Sequence, residues 1–352
     1  MEASHVPFRG FEYSGGLQMN VLITGGAGYI GSHTAKVMAS STITPVVLDN
    51  LCNGHRWAVC WGPFVEGNLS DRELLRNTIK RYSIEAVIHF AGFAYVGESM
   101  LKPELYFENN LLNTFNLLEA MRVENVRHIV FSSSCATYGM PKHFPISEDE
   151  PQSPVNPYGE SKLAVEKMLG WYGKIHGLSW ASLRYFNAAG ADPDGGLGEA
   201  HDPETHLVPL VISAALGRVP EVQVYGTNYE TVDGTAVRDY VHVTDLGSAH
   251  LAALRYLLDG GESAAFNLGT GSGRSVREII STTEMITGRK VPVRICGPRP
   301  GDPPVLVANV TRAADVLQWR PQYSALESII ETAWQWHRKG VNLSTSQRGG
   351  VI

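Results

Sequence analysis

An apolar run of strand type, Asn20-Val21-Leu22-Ile23-Thr24, is followed at once by Gly25-Gly26-Ala27-Gly28-Tyr29-Ile30-Gly31. The stretch from His33 to Met38 then reads as the start of a helix. Few sequence features constrain a fold more. A strand that enters a glycine turn and leaves as a helix puts backbone N–H groups at the helix N-terminus, where they suit a pyrophosphate. The glycines allow the tight turn and the close approach of phosphate. The spacing is Gly-x-x-Gly-x-x-Gly rather than the commoner Gly-x-Gly-x-x-Gly, and by itself such a loop could be only a turn.

A second strand, Pro45-Val46-Val47-Leu48, ends in Asp49, about where a ribose-binding acid belongs, some 20 residues beyond the glycines. A carboxylate there accepts from a free 2′-hydroxyl and repels a 2′-phosphate, which favours NAD over NADP. The alternative reading of Asp49 is the first residue of a turn at Asp49-Asn50.

Further strand-like runs alternate with helical patterns. Phe64-Val65-Glu66 precedes a helix over Asp71–Tyr82, then a strand Ala86–Phe90 and a long helical stretch from about Glu104 to Arg122. The strand His128–Phe131 leads into Ser132-Ser133-Ser134, and a helix from about Gly159 to His176 precedes a strand Trp180–Phe186. Such alternation predicts an α/β fold with a Rossmann-like, doubly wound parallel sheet. Ligands in these sheets lie at the carboxyl ends of the strands. Asp49, Asn68, Phe90-Ala91-Gly92, Ser134 and Asn187 all fall there.

At 352 residues the chain suits two lobes. We expect a nucleotide-binding domain over 19–186 and a smaller C-terminal α/β substrate lobe over 187–344, with segments near 239–258 returning to the first. Leu207–Leu216 reads as a helix and Val222–Tyr225 as a strand of that lobe. Gly/Pro-rich stretches near 226–235 and 297–304 read as substrate-facing loops. Residues 1–18 are expected to form a loose extension and 345–352 a disordered tail.

A net charge of −6 gives no basic footprint for nucleic acid. No apolar run reaches the ~18 residues of a membrane helix. Cys52, Cys60, Cys135 and Cys296 show no disulfide pattern, which fits a reducing cytoplasm. No metal is expected. In His201-Asp202-Pro203-Glu204-Thr205-His206 the proline and the histidine spacing do not place ligands on one helix face.

Tyr158-Gly159-Glu160-Ser161-Lys162 carries the chemistry. On a helix a phenol and an ammonium four positions apart share a face. A nearby cation favours phenolate, so a general base for an alcohol proton becomes possible. Tyr-x-x-x-Lys alone is a weak signal; with the glycine turn, Asp49 and an upstream Ser134 it becomes specific.

Taken together, these residues resemble the extended short-chain dehydrogenase/reductase superfamily and, within it, the UDP-galactose 4-epimerases, over roughly residues 20–340. The matching motifs include Thr24–His33, His89-Phe90-Ala91-Gly92, Val96-Gly97-Glu98-Ser99, Asn156–Lys162, Leu183–Asn187, Gly234–His242 and Arg299-Pro300-Gly301-Asp302. The resemblance implies NAD as cofactor, a UDP-sugar as substrate and a homodimer paired through the helices near 104–122 and 159–176. It makes Tyr158 the base, has Lys162 hold the nicotinamide ribose and lower the tyrosine pKa, and has Ser134 bond the sugar 4-oxygen. It lines the cofactor with Gly25, Gly28, Tyr29, Ile30, Gly31, Asp49, Asn50, Leu51, Cys52, Asn53, Asn68, Leu69, Phe90, Ala91, Gly92, Asn109 and Phe186. It turns Asn187, His206, Leu207, Val224, Tyr225, Arg238, Arg299, Asp302 and Leu306 toward the UDP-sugar. Guanidinium groups suit a diphosphate through paired charge-assisted bonds. Four positions depart from better-known members: Asn68 for an Asp, Ala94 for a Lys, His206 for an Asn, and Leu306 for the Tyr or Cys of the sugar pocket. The rival reading within the superfamily is a 4,6-dehydratase. That needs an acidic pair beside the serine, where this chain has Cys135-Ala136.

Overall fold

The structure, a computed structural model, describes residues 18–299 and 301–339. The expected tail over 345–352, and nearly all of the expected extension over 1–18, lie outside the described residues.

The first half alternates strand and helix. The elements are β1 (Met19–Thr24), α1 (Tyr29–Ala39), β2 (Ile43–Asp49), β3 (Phe64–Glu66), α2 (Arg72–Arg81) and β4 (Ala86–His89). Two short helices, α3 (Val96–Ser99) and α4 (Pro103–Tyr106), lead through a widened π turn, Phe107–Leu112, into α5 (Asn113–Val123). Then come β5 (His128–Ser134), α6 (Pro157–His176), β6 (Ser179–Tyr185) and β7 (Asn187–Ala189). The second half comprises α7 (Leu207–Ala215), β8 (Val222–Tyr225), β9 (Val237–His242), α8 (Val243–Leu258), β10 (Ala264–Leu268), β11 (Gly273–Ser275), α9 (Val276–Thr287), β12 (Val293–Cys296), β13 (Val305–Leu306), α10 (Thr311–Val316) and α11 (Leu326–Arg338).

Seven parallel strands form the main sheet in the order β3-β2-β1-β4-β5-β6-β10. Strand order reverses between β1 and β4, so the glycine turn after β1 opens at a topological switch point, the usual ligand crevice of such sheets. The side-chain period of two decides which residues fill which face. Val21 and Ile23 pack into one core with Met38, Ile88, Val130, Leu246, Leu254 and Phe266. Leu22 points the other way, into a core with Leu75, Val87, Leu117, Met121, Ile129, Val165 and Leu169. Near-continuous apolar strands are what a sheet covered on both faces requires.

A third core, built from Val211, Ile212, Ile279, Ile329 and Ile330, holds α7, α9 and α11 together. It supports two small sheets. β9 lies at the centre of one, with β11, β13 and β7 as partners; β8 and β12 make the other. The chain returns to the first domain further than residues 239–258. α8 packs on the main sheet through Leu246 and Leu254, and β10 adds its seventh strand beside β6.

Two expected boundaries moved for physical reasons. β5 continues through Ser134 because its serines are paired inside the protein. Ser133 Oγ donates to Glu166 at 2.5 Å, and Ser132 Oγ bonds the Tyr185 hydroxyl. The expected helix 104–122 is broken by the π turn, which Asn110 pins. Its side chain accepts from Phe93 N at 2.8 Å and donates to Phe93 O and Ser161 Oγ at 3.0 Å each. Single π turns inside helices often mark functional sites.

Candidate active site

The glycine turn is fixed by close backbone approach. Gly25 has φ +72°, and a Cβ on it would lie 2.5 Å from Ala91 N. A Cβ on Gly31 would lie 2.3 Å from Gly25 O, so α1 packs directly on the turn. Gly28 caps α1 with no side-chain bond to the first-turn amides, and beside it opens a cleft lined by Ala27, Tyr29, Ser32, Asn53 and His201. An uncapped helix N-terminus beside a cleft fits a pyrophosphate.

Asp49 ends β2, nearly buried. Its Oδ2 accepts from Ala27 N at 3.0 Å and its Oδ1 from Leu51 N at 2.8 Å. Burial raises its pKa, and those two backbone bonds oppose the rise. Each oxygen keeps acceptor capacity for a ribose. Asn50 Oδ1 accepts from Cys52 N, shaping the following turn with Leu51 at φ 58°. Asn68 sits just after β3; its Oδ1 accepts from Ser70 N at 2.9 Å, with Leu69 buried beside it. Phe90 and Ala91 follow β4, both donating their N–H to Thr24 O, and Gly92 lies close to Lys162 Nζ. Asn109, on the π turn, donates to Asn110 Oδ1 at 3.2 Å. Phe186 is buried in a small cluster with Tyr138 and Ile146, against which Leu306 packs.

The trio expected to be reactive, Ser134, Tyr158 and Lys162, comes together where β5 meets α6. Asn156 caps α6 by accepting from Gly159 N at 2.9 Å, and Pro157 starts the helix. Tyr158 therefore sits in the first turn and Lys162 one turn later, both inward and nearly buried. Ser134, at the end of β5, takes Ala136 N on its Oγ at 3.1 Å. Lys162 Nζ donates to Ser132 O at 2.7 Å, lies 4.9 Å from the Phe131 ring centroid and 5.9 Å from that of Tyr158.

Burial dominates the electrostatics of Tyr158 and Lys162. Burial pushes the Tyr158 phenol up to about 12, and its hydrogen bond with Ser134 only partly offsets this. The Lys162 ammonium donates to a backbone carbonyl, that of Ser132. Burial pushes Lys162 down to about 8, with Glu166 pulling the other way. The protein alone thus holds a neutral phenol beside a desolvated lysine. Glu166 is committed elsewhere, in a buried ion pair with Arg184 at 2.6 Å.

Two arginines expected at the substrate site lie in the second half of the chain. Arg238 on β9 pairs with Asp302 at 2.5 Å, and the Arg299 guanidinium lies 3.9 Å from the Tyr225 ring centroid. Asp239, fully buried, anchors this strand: Thr270 N and Oγ1, Gly271 N and Ala308 N all donate to it. Leu306 is the strand neighbour of Arg238, which puts it at the same end of the lobe. Asn187 donates to Asp239 O at 3.2 Å. Val224 is buried on β8, while Leu207 opens α7 after its N-cap His206.

Around His206 the structure departs from expectation. Helical spacing set the case against a metal site there, but this segment is a loop. It brings Glu199, His201, Glu204 and His206 together, their ligand atoms all within 4.8 Å of one another. Burial raises the Glu199 carboxyl, and hydrogen bonds from His201 and His206 more than reverse it, to about 2. Burial lowers His206, and bonds to Glu199 and Glu204 outweigh it, lifting the imidazole to about 10. Glu204 lay within the segment weighed as a metal cluster from sequence, whereas Glu199, two residues before His201, was not named.

The model of the NAD dependent epimerase/dehydratase family matches residues 21–269, glycine turn and reactive trio included. The chain belongs to this family. A UDP-glucose 4-epimerase of Rhizobium leguminosarum bv. trifolii is 50% identical over 319 residues, covering 91% of this chain and 97% of that one. The crystal structure of UDP-glucose 4-epimerase from Brucella ovis in complex with NAD superposes with a TM-score of 0.89 at 52% identity, covering 90% of this chain and 97% of that one. The Bifidobacterium longum enzyme in complex with NAD+ and UDP gives 0.85 at 36% identity, covering 92% and 99%. For this epimerase/dehydratase family member, NAD is therefore the cofactor, and the uncapped α1 terminus and Asp49 fit it.

Proposed function

We propose that the chain interconverts UDP-glucose and UDP-galactose by reversible epimerisation at C4, through a transient 4-keto sugar. The observation that carries the reading is the buried Ser134–Tyr158–Lys162 cluster at the carboxyl ends of the strands, between an NAD-shaped turn and an arginine-bearing lobe. Ser134 holds the sugar 4-oxygen, and Tyr158 takes its proton. The electron pair left on that oxygen forms the C4 carbonyl. NAD, when bound, supplies a reversible hydride acceptor for the C4 hydrogen. Lys162 orients toward the nicotinamide ribose and, as a cation, favours the phenolate. The 4-keto sugar turns within the pocket while Arg238 and Arg299 keep the diphosphate, so reduction from the other face inverts C4 with no net redox change. Asn187, His206, Leu207, Val224, Tyr225 and Asp302 complete the UDP site, and Leu306 borders the sugar.

Residues Phe107, Leu112, Trp171 and Ile175, on the helices near 104–122 and 159–176, are large, apolar and exposed. They support a homodimer through that region. Four free cysteines fit a cytoplasmic setting, and no described helix is long and apolar enough to cross a membrane.

Incubating the purified protein with UDP-galactose and NAD tests the reading. UDP-glucose is expected as product. A 4-keto-6-deoxy product would make the chain a dehydratase, against the absence of an acidic pair at Cys135-Ala136. No turnover would leave an NAD-binding protein without this activity. A panel of UDP-sugars including UDP-xylose, UDP-arabinose and UDP-N-acetylglucosamine then orders the substrates.

A further inference from the structure

The loop between β7 and α7 brings together two carboxylates and two imidazoles, of which His201 also lines the cleft beside α1 and His206 also belongs to the proposed UDP site. Glu199 lies at their centre, its side chain only 3% exposed. Its Oε1 is 2.9 Å from His201 Nδ1 and 2.7 Å from His206 Nδ1. Glu204 closes the group, with Oε1 3.3 Å from His206 Nδ1 and Oε2 4.0 Å from His201 Nδ1. Tyr29 and Tyr95 stand edge-on to His201, at 6.2 and 6.0 Å between ring centroids. Trp336 Nε1 donates to Glu199 O at 2.8 Å and ties the backbone to α11.

We propose that these four residues bind one divalent transition-metal ion of the zinc type. Two imidazole nitrogens and two carboxylate oxygens are a donor set zinc accepts. Tetrahedral ligands at bonds of about 2.0–2.2 Å stand roughly 3.4 Å apart. The four nitrogen–oxygen separations above straddle that spacing. Widening the two short contacts and drawing in the longest reaches it by side-chain rotation, and the Glu204 and His206 side chains, 18% and 45% exposed, have room to turn.

Charge also balances: one divalent ion offsets two carboxylates, with two neutral imidazoles as the other ligands. All four ligands come from one short stretch of chain, and His206 is the N-cap of α7. The bound ion would lock this loop onto the start of that helix. Its role is structural: it fixes the loop and supplies no step of the C4 chemistry.

The test uses the full chain with any affinity tag removed, stripped with EDTA and dialysed. Zinc chloride is titrated calorimetrically in two buffers of different ionisation enthalpy, and the thermal midpoint is measured with and without zinc. We expect one ion per chain, proton release that depends on the buffer in the measured heat, and a raised thermal midpoint. His201→Gln and Glu204→Gln should each weaken zinc binding by at least ~10-fold, the scale on which altering a metal site's support already acts. Absence of saturable binding would overturn the proposal, as would unchanged affinity in both variants. Should the variants fail to fold, X-ray absorption of the zinc-loaded native chain decides. A shell of two imidazoles and two oxygens supports the site; a thiolate or purely oxygen shell overturns it.

Discussion

The two sides of the active site recognise in different ways. On the nucleotide side the backbone does the work: a glycine at φ +72°, the uncapped amides of α1 and a carboxylate braced by two N–H groups. These features are fixed by the main sheet and cannot shift without unpacking its core. On the sugar side, long side chains on small sheets and loops do it, with Arg238 paired to Asp302 and Arg299 lying on Tyr225. Such groups can exchange partners when a diphosphate arrives. In the function we propose, the nucleotide side holds one ligand in place, and the sugar side grips a ligand at one end and leaves it free to turn at the other.

The largest effect should come where the two sides meet. Tyr158→Phe removes the proton acceptor and leaves both binding surfaces built. Turnover should fall roughly 10²–10⁴-fold, with UDP binding by calorimetry near the native value. A variant that also lost UDP would place Tyr158 in binding instead.

Lys162→Ala comes next, because it strikes the ribose contact and the phenol together. With the cation gone, burial still raises the phenol and the proposed help from the ammonium is lost. The ionised fraction, and with it the residual rate, should then keep rising with pH. The native rate should level off at lower pH. Identical rate–pH profiles would mean that Lys162 does not set the ionisation of Tyr158.

Asp49→Ala should weaken NAD by about 10- to 100-fold, the scale of a lost hydrogen bond to a charged group. It should also narrow the preference over NADP, since the repulsion of a 2′-phosphate goes with it. Equal NAD and NADP affinities in the native protein would remove Asp49 from discrimination. The smallest effect belongs to the adaptable side. Leu306→Tyr narrows the pocket, so the ratio of UDP-N-acetylglucosamine to UDP-glucose turnover should drop, by roughly 10-fold for ~1.4 kcal/mol of steric cost. An unchanged ratio would show that residue 306 does not border the acetamido group.

The same contrast governs what could be read from the sequence. The nucleotide side was legible because strand periodicity, glycine spacing and a terminal acid are local signals. β3 falls on the expected residues, and Asp49 closes β2. The π turn at Phe107–Leu112 was not legible, since its cause is Asn110 reaching Phe93 and Ser161, far apart in the chain. The burial of Lys162 against the Ser132 carbonyl was hidden too, because helix spacing gives a shared face but not what the ammonium finds there. The Glu199–His206 cluster escaped for a related reason: helical geometry was applied to a segment that folds as a loop. β10 joins the sheet from residues 264–268, a long-range pairing that no local pattern announces.

The central claim is that the C4 hydrogen leaves and returns within one bound complex while the 4-oxygen passes its proton to Tyr158. UDP-galactose deuterated at C4, turned over in ordinary water, tests it most directly. Mass spectrometry and proton NMR of the UDP-glucose product should find the deuterium retained at C4, with no NADH accumulating. Protium appearing at C4 in step with turnover would mean that this hydrogen exchanges with solvent, and would contradict the account.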